Sequence, residues 1–276
     1  MAKKIKKNPE EMSFLDHLEE LRWHLIRSCL AVVIVGSVAF AFKRFIFDVI
    51  IFGPKDPNFP TYRFFCFLSQ KLGLDETFCT TDMGFIIQNT GMAGQFSAHI
   101  WTSIWAGVII GFPYLVYELW KFISPGLYEN ERKNARGFIF ITSFLFFLGV
   151  TFGYFIITPL SINFLGNYSV SSEVKNQIVI DSYVAILRSS VLASGVIFEL
   201  PIIIYFFTKI GLITPKFMRT YRKHAIVVVL ILSAVITPPD IASQIVVSIP
   251  IIILYEISIF ISAYVLKRDK KKMKQV

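Results

Sequence analysis

Six long apolar runs with few charges constrain this chain more than any other feature. They cover residues 25–47, 96–117, 137–165, 183–207, 224–237 and 242–265. A membrane-crossing helix needs roughly 20 apolar residues, and short ones manage with about 17. All but the fifth meet that length. The fifth is short, and the sixth contains Pro250, which predicts a break. More than half of the residues are hydrophobic, which a soluble chain of this size would not carry. The reading is an all-α integral membrane protein with six transmembrane helices. The first run is too long for a cleavable signal peptide and no small-residue cleavage site follows it, so it reads as a span that stays.

Basic residues set the orientation, because cytoplasmic loops collect Lys and Arg. Taken in alternation, one set of segments holds 21 of them and the other only seven. Both termini are therefore expected in the cytoplasm, which agrees with an even number of spans. Residues 1–27 read as a cytoplasmic amphipathic segment and 28–265 as the membrane domain. Within it, 53–95 is a long external loop; 266–276 is a basic cytoplasmic tail. The positive net charge reports topology. It gives no support to nucleic-acid binding, since the basic residues form no folded domain with stacking aromatics.

In the N-terminal segment Phe14, Leu15, Leu18, Leu21 and Leu25 share one helical face. Ser13 with Asp16 reads as a capping box. Asp16, Glu19 and Glu20 lie off the apolar stripe. A helix lying on anionic lipid would carry Lys and Arg there instead. Acids at a helix start also compensate its dipole, which is the plainer account of Asp16 and Glu19. Glu20, Glu118, Glu129 and Glu131 all fall at cytoplasmic span ends, where convergence would make an acidic patch suited to guanidinium groups. The alternative is weak local pairing, such as Glu131 with Arg132 or Arg136.

Two carboxylates lie inside apolar runs, where charge is expensive. Glu199 precedes Pro201 in the fourth. It is either hydrogen-bonded to another helix or a polar spot for a partner helix or a wetted path. Glu256 lies in the inner half of the sixth and is close enough to headgroups to be solvated. Cys29 reads as inert packing. Cys66 and Cys79 share the external loop, either bridged in an oxidising compartment or as two free thiols. The four histidines are scattered without metal-ligand spacing, and no nucleophile constellation or phosphate loop is present.

Several motifs in order then identify a resemblance. They are Phe14-Leu15-Asp16-His17-Leu18-Glu19-Glu20-Leu21-Arg22; Pro113 with Tyr117, Trp120, Phe122, Pro125, Leu127, Tyr128, Glu131 and Arg132; Phe198-Glu199-Leu200-Pro201; and Thr237-Pro238-Pro239-Asp240 with Ser243-Gln244. The chain resembles TatC, the multispanning subunit of the twin-arginine protein translocase, over about residues 13–266.

The resemblance implies a concave, glove-like bundle in a bacterial cytoplasmic (inner) membrane. It implies a receptor, not an enzyme, that needs no cofactor. Its ligands would be the twin-arginine signal peptides of proteins exported folded at the expense of the proton-motive force. Its partners would be TatA- and TatB-type single-span subunits in an oligomeric complex. By the same resemblance Glu20 and Glu131 form the arginine pocket with Arg22 and Phe122 nearby. Glu199, Gln244 and Thr237 belong to the partner-docking region. The chain departs from the family in its long first external loop, in Glu118 where Gln is common, and in its short tail.

The rival reading is a proton-coupled secondary transporter using Glu199 and Glu256, but transporters show related halves with matched helix breaks. Here Pro201 and Pro250 are unmatched. A membrane-embedded enzyme lacks clustered nucleophiles or metal ligands.

Overall fold

The computed structural model describes residues 14–73, 79, 84–124, 135–171, 173–237 and 240–273. Among them five stretches are long and apolar enough to cross a membrane: His17–Ala41, Gly94–Ile123, Arg136–Asn167, Ile180–Lys209 and Ser243–Arg268. The fifth apolar run forms a helix of 15 residues, Arg222–Ile236. At about 1.5 Å per residue it reaches about 22 Å, short of the roughly 30 Å of a hydrocarbon core.

The chain divides into two compact units, Met1–Phe42 with Ile100–Phe144, and Lys43–His99 with Leu145–Val276. In the first, α1 (Phe14–Ala41) packs on the later part of α3 (Gly94–Ile123). The amphipathic segment and the first span are one continuous helix, because nothing between Phe14 and Ala41 interrupts the backbone ladder. Glycines allow the approach. A Cβ on Gly107 would sit 2.5 Å from the Val32 carbonyl oxygen, and one on Gly36 would sit 3.1 Å from that of Ser103. Lipid gives apolar side chains no reason to hide, so small residues at the seam and van der Waals contact do the packing. Leu30, Val33 and Ile34 accordingly remain exposed for lipid.

The second unit has a cap and a helical body. The cap holds a π-helical segment (Phe45–Ile51), a 3₁₀ turn (Gly53–Lys55), α2 (Pro60–Leu72) and β1 (Ile86–Gln88). Pro60 opens α2, and Gly73 at φ 64° closes it in the left-handed conformation that favours glycine. β1 pairs in parallel with β2 (Gln177–Val179), with Ile86, Ile87 and Gln88 opposite Gln177, Ile178 and Val179. Three phenols fix the backbone of residues 50–54. Tyr154 donates to Ile50 O (2.8 Å), Tyr183 to Ile51 O (2.9 Å) and Tyr62 to Pro54 O (2.9 Å). Burial pushes the Tyr62 phenol above its ordinary range, so the hydroxyl keeps its proton. Cys66 and Cys79 are joined, with Cα atoms 4.7 Å apart.

In the body, α4 (Ala135–Phe152) passes through a π turn (Gly153–Ile157) into α5 (Thr158–Asn167). It packs on α6 (Ile180–Phe198), which ends at Glu199 before α7 (Leu200–Lys209). Pro201 falls in the first turn of α7, where its missing N–H costs nothing. The short helix α8 (Pro215–Thr220) starts where the Thr214 hydroxyl accepts from the Phe217 N–H at 3.2 Å. α9 (Arg222–Ile236) and α10 (Ile241–Met273) then finish the chain. Asp240 caps α10, accepting from the Ser243 N–H and hydroxyl at 2.8 Å each.

One expectation is corrected here. Pro250 does not break the sixth run, since α10 continues through it; only the bond to the Val246 carbonyl is lost, and the flanking turns hold. The helix also runs on through Met273, so the basic tail is helical over most of its length. α10 buries Ser258 and Ser262 and exposes Phe260 and Tyr264, an inside-out pattern for a lipid-facing helix. Thr208 on α7 donates to Ser262 at 2.9 Å.

Candidate functional site

At the N-terminal end of α1, His17, Glu20 and His24 recur at helical spacing and share a face. Phe122, near the end of α3, lies against that face. Its ring stacks on His17 at 4.6 Å between centroids and meets His24 edge-on at 6.1 Å. Glu20, on that same face, is half-buried, and among the described residues no hydrogen bond or ion pair engages it. Arg22 is exposed, about 200° further round the helix from Glu20. Glu131 and Glu129, like Pro125, Leu127, Tyr128 and Arg132, lie outside the described residues, so their approach to Glu20 does too. Trp120 stacks on Phe138 at 4.5 Å.

One turn deeper, Glu118 is buried, only 2% exposed. His24 Nδ1 lies 2.5 Å from its Oε2, and Arg27 Nη1 lies 3.9 Å away. The Tyr114 hydroxyl faces the same carboxylate. The sequence marked Glu118 as a departure but gave His24 no role. Residues 94 apart in sequence carry no local signal of contact.

Glu199 sits at the break between α6 and α7, 8% exposed. Neither carboxylate oxygen has a hydrogen-bond partner, although the Phe146 backbone lies close. The interhelical hydrogen bond considered for it is absent among the described residues. Gln244 donates from Nε2 to Leu230 O at 3.1 Å and so ties α10 to α9. The Thr237 hydroxyl donates back to Ser233 O at 2.8 Å and is buried. No hydrogen bond joins Glu199 to either. Glu256 forms an ion pair with Arg222, which links α10 to α9 and leaves no unpaired acid there.

Helices of this length and hydropathy, seamed by glycine and serine, define a polytopic helical membrane protein. Its polar side chains gather at one helix end and at one intramembrane break. Residues 16–250 match the family described as Sec-independent protein translocase protein (TatC). A protein of that name from Blattabacterium sp. subsp. Periplaneta americana (strain BPLAN) is 45% identical over 269 residues, covering 96% of this chain and 100% of the relative. Another from Aquifex aeolicus (strain VF5) is 31% identical and covers 95% and 100%. Among solved structures, a crystal structure of the twin arginine translocase receptor TatC matches with a TM-score of 0.67 at 30% identity, covering 91% of this chain and 99% of that one. The chain belongs to the TatC family and is a subunit of a twin-arginine protein translocase.

Proposed function

We propose that this subunit receives twin-arginine signal peptides at the Glu20–Phe122 face. The carrying observation is a half-buried carboxylate with no partner among the described residues, on the helix face whose His17 and His24 meet the Phe122 ring. A guanidinium offers such a group two-point hydrogen bonding and a flat face for the ring, which an ammonium does not. Glu131 supplies the second carboxylate, and Arg22 lies at the rim. Glu199, with Gln244 and Thr237, forms the docking region for TatA- and TatB-type single-span subunits in an oligomeric complex. A partner's polar group there would satisfy the unpaired carboxylate. The chain crosses the bacterial inner membrane six times, with α9 as the short crossing and both termini cytoplasmic. Residues 1–27 form the cytoplasmic segment, 28–265 the membrane domain and 266–276 the tail. Folded cargo moves at the expense of the proton-motive force.

Photocrosslinking of a twin-arginine signal peptide to the protein in membranes tests the receptor reading. Crosslinks at Glu20 and Glu131 that vanish with Lys-Lys in place of Arg-Arg are expected. Glu20→Ala and Glu131→Ala should each abolish them while the protein stays in the membrane. Equal crosslinking of both peptides would overturn the two-point guanidinium chemistry.

A further inference from the structure

Lys43, Arg44 and Lys55 line a single cavity of about 760 Å³ in the second unit, together with Gln95, Phe96 and His99 from the start of α3. They are three of the seven basic residues in the charge-poor set of segments. Among the described residues no carboxylate pairs with any of them; Lys55 has only the Phe85 ring, 5.8 Å away. One carboxylate, Asp48, shares the lining. Three cations against one carboxylate leave the lining with excess positive charge, and an anion that enters the space offsets that excess. Part of the lining is aromatic. Phe47 and Phe96 form it, and Phe96 is 63% exposed, so the cavity opens onto the surface that faces lipid. The span containing Phe96 starts at Gly94, which puts the cavity at the membrane boundary.

We infer that this cavity binds the phosphodiester headgroup of an anionic phospholipid. The phosphate sits among Lys43, Arg44 and Lys55, and an acyl chain leaves over Phe96. Volume favours a lipid over free phosphate, because the cavity lies within the roughly 300–1,000 Å³ range of sites for whole small molecules. The aromatic wall favours it too, since inorganic phosphate gains nothing from an apolar surface.

The test is native mass spectrometry of the full chain exchanged into mixed vesicles of phosphatidylglycerol and phosphatidylcholine, with inorganic phosphate and glycerol phosphate as competitors. Retention of phosphatidylglycerol over phosphatidylcholine is expected, unaffected by millimolar inorganic phosphate. Binding should fall roughly fivefold for each of K43Q, R44Q and K55Q. The tail changes K267Q and R268Q should leave it unchanged. D48N removes the one opposing charge and should tighten binding, which keeps the inference testable if the Lys and Arg variants do not fold. Equal retention of both lipids, competition by inorganic phosphate alone, or no response to either R44Q or D48N would overturn it.

Discussion

The His24–Glu118 pair shows how one side chain changes meaning once its neighbour is known. A carboxylate at the end of a span reads as a surface charge in sequence. Buried, it needs a donor, and His24 supplies one. Removing one partner of a buried pair strands the other, which costs more than the pair itself contributes. H24A should therefore lower the thermal midpoint of the purified protein by roughly 5 °C. E118Q, which keeps a hydrogen-bonding group beside the imidazole, should lose less. An unchanged midpoint in H24A would mean the pair is not structural. Glu199 is the opposite case, a buried carboxylate with nothing stranded by its loss. E199A should leave the subunit folded and peptide crosslinking intact, yet weaken copurification of single-span partners. Undiminished copurification would count against the docking role. The sequence singled out Glu199 because an acid in an apolar run is conspicuous, and Glu20 because it falls at a cytoplasmic span end and matches the family's motif. It could not rank Glu256, whose partner Arg222 lies 34 residues away.

At the scale of elements, composition located the helices, and glycine placement decided how they meet. Gly149 and Gly153 lie one turn apart and face Ser190, Ser194 and Gly195 on α6. A Cβ on Gly149 would stand 2.5 Å from the Ser194 carbonyl oxygen, and Ser194 donates to the Gly149 carbonyl at 2.8 Å. G149L should cost about 3 kcal/mol, because both sides of the clash are backbone and neither can move away. The check is chemical denaturation in mild detergent, with the exposed V235L as a neutral control. The same G-x-x-x-G spacing recurs at Gly107 and Gly111 on α3. It was visible in the sequence, but spacing alone names no facing helix. The two prolines make a similar point. Both interrupt apolar runs, yet only Pro201 marks a helix start, because the chain already turns at Glu199 (ψ −3°). The strands β1 and β2 were illegible, since three residues carry no measurable alternation and their partners lie in different loops. The caps at Asp240 and Thr214 need only a polar side chain near a helix start.

For the whole molecule the decisive element is α9. Five helices meet the length of a span on their own, and an odd number would put the two termini on opposite sides. The basic residues argue otherwise, because the excess of 21 over seven in alternate segments needs six crossings. A helix of about 22 Å can still cross if the bilayer thins locally or neighbouring helices shelter its ends. α9 has such shelter along one side. Val229 packs in a buried cluster with Ile157, Val247 and Ile251, and Gln244 bonds the Leu230 carbonyl. Opposite that side Val227, Val228, Ile231 and Val235 are exposed, as a lipid-facing surface would be. The two topologies differ at one accessible position. In a C29S background, S169C lies before α6, K216C between α7 and α9, and I241C at the first residue of α10. With six crossings, a membrane-impermeant maleimide added to intact cells should label S169C and I241C and spare K216C. If α9 does not cross, I241C should be protected along with K216C. That pattern would split the termini across the membrane and remove the cytoplasmic assignment of one of them.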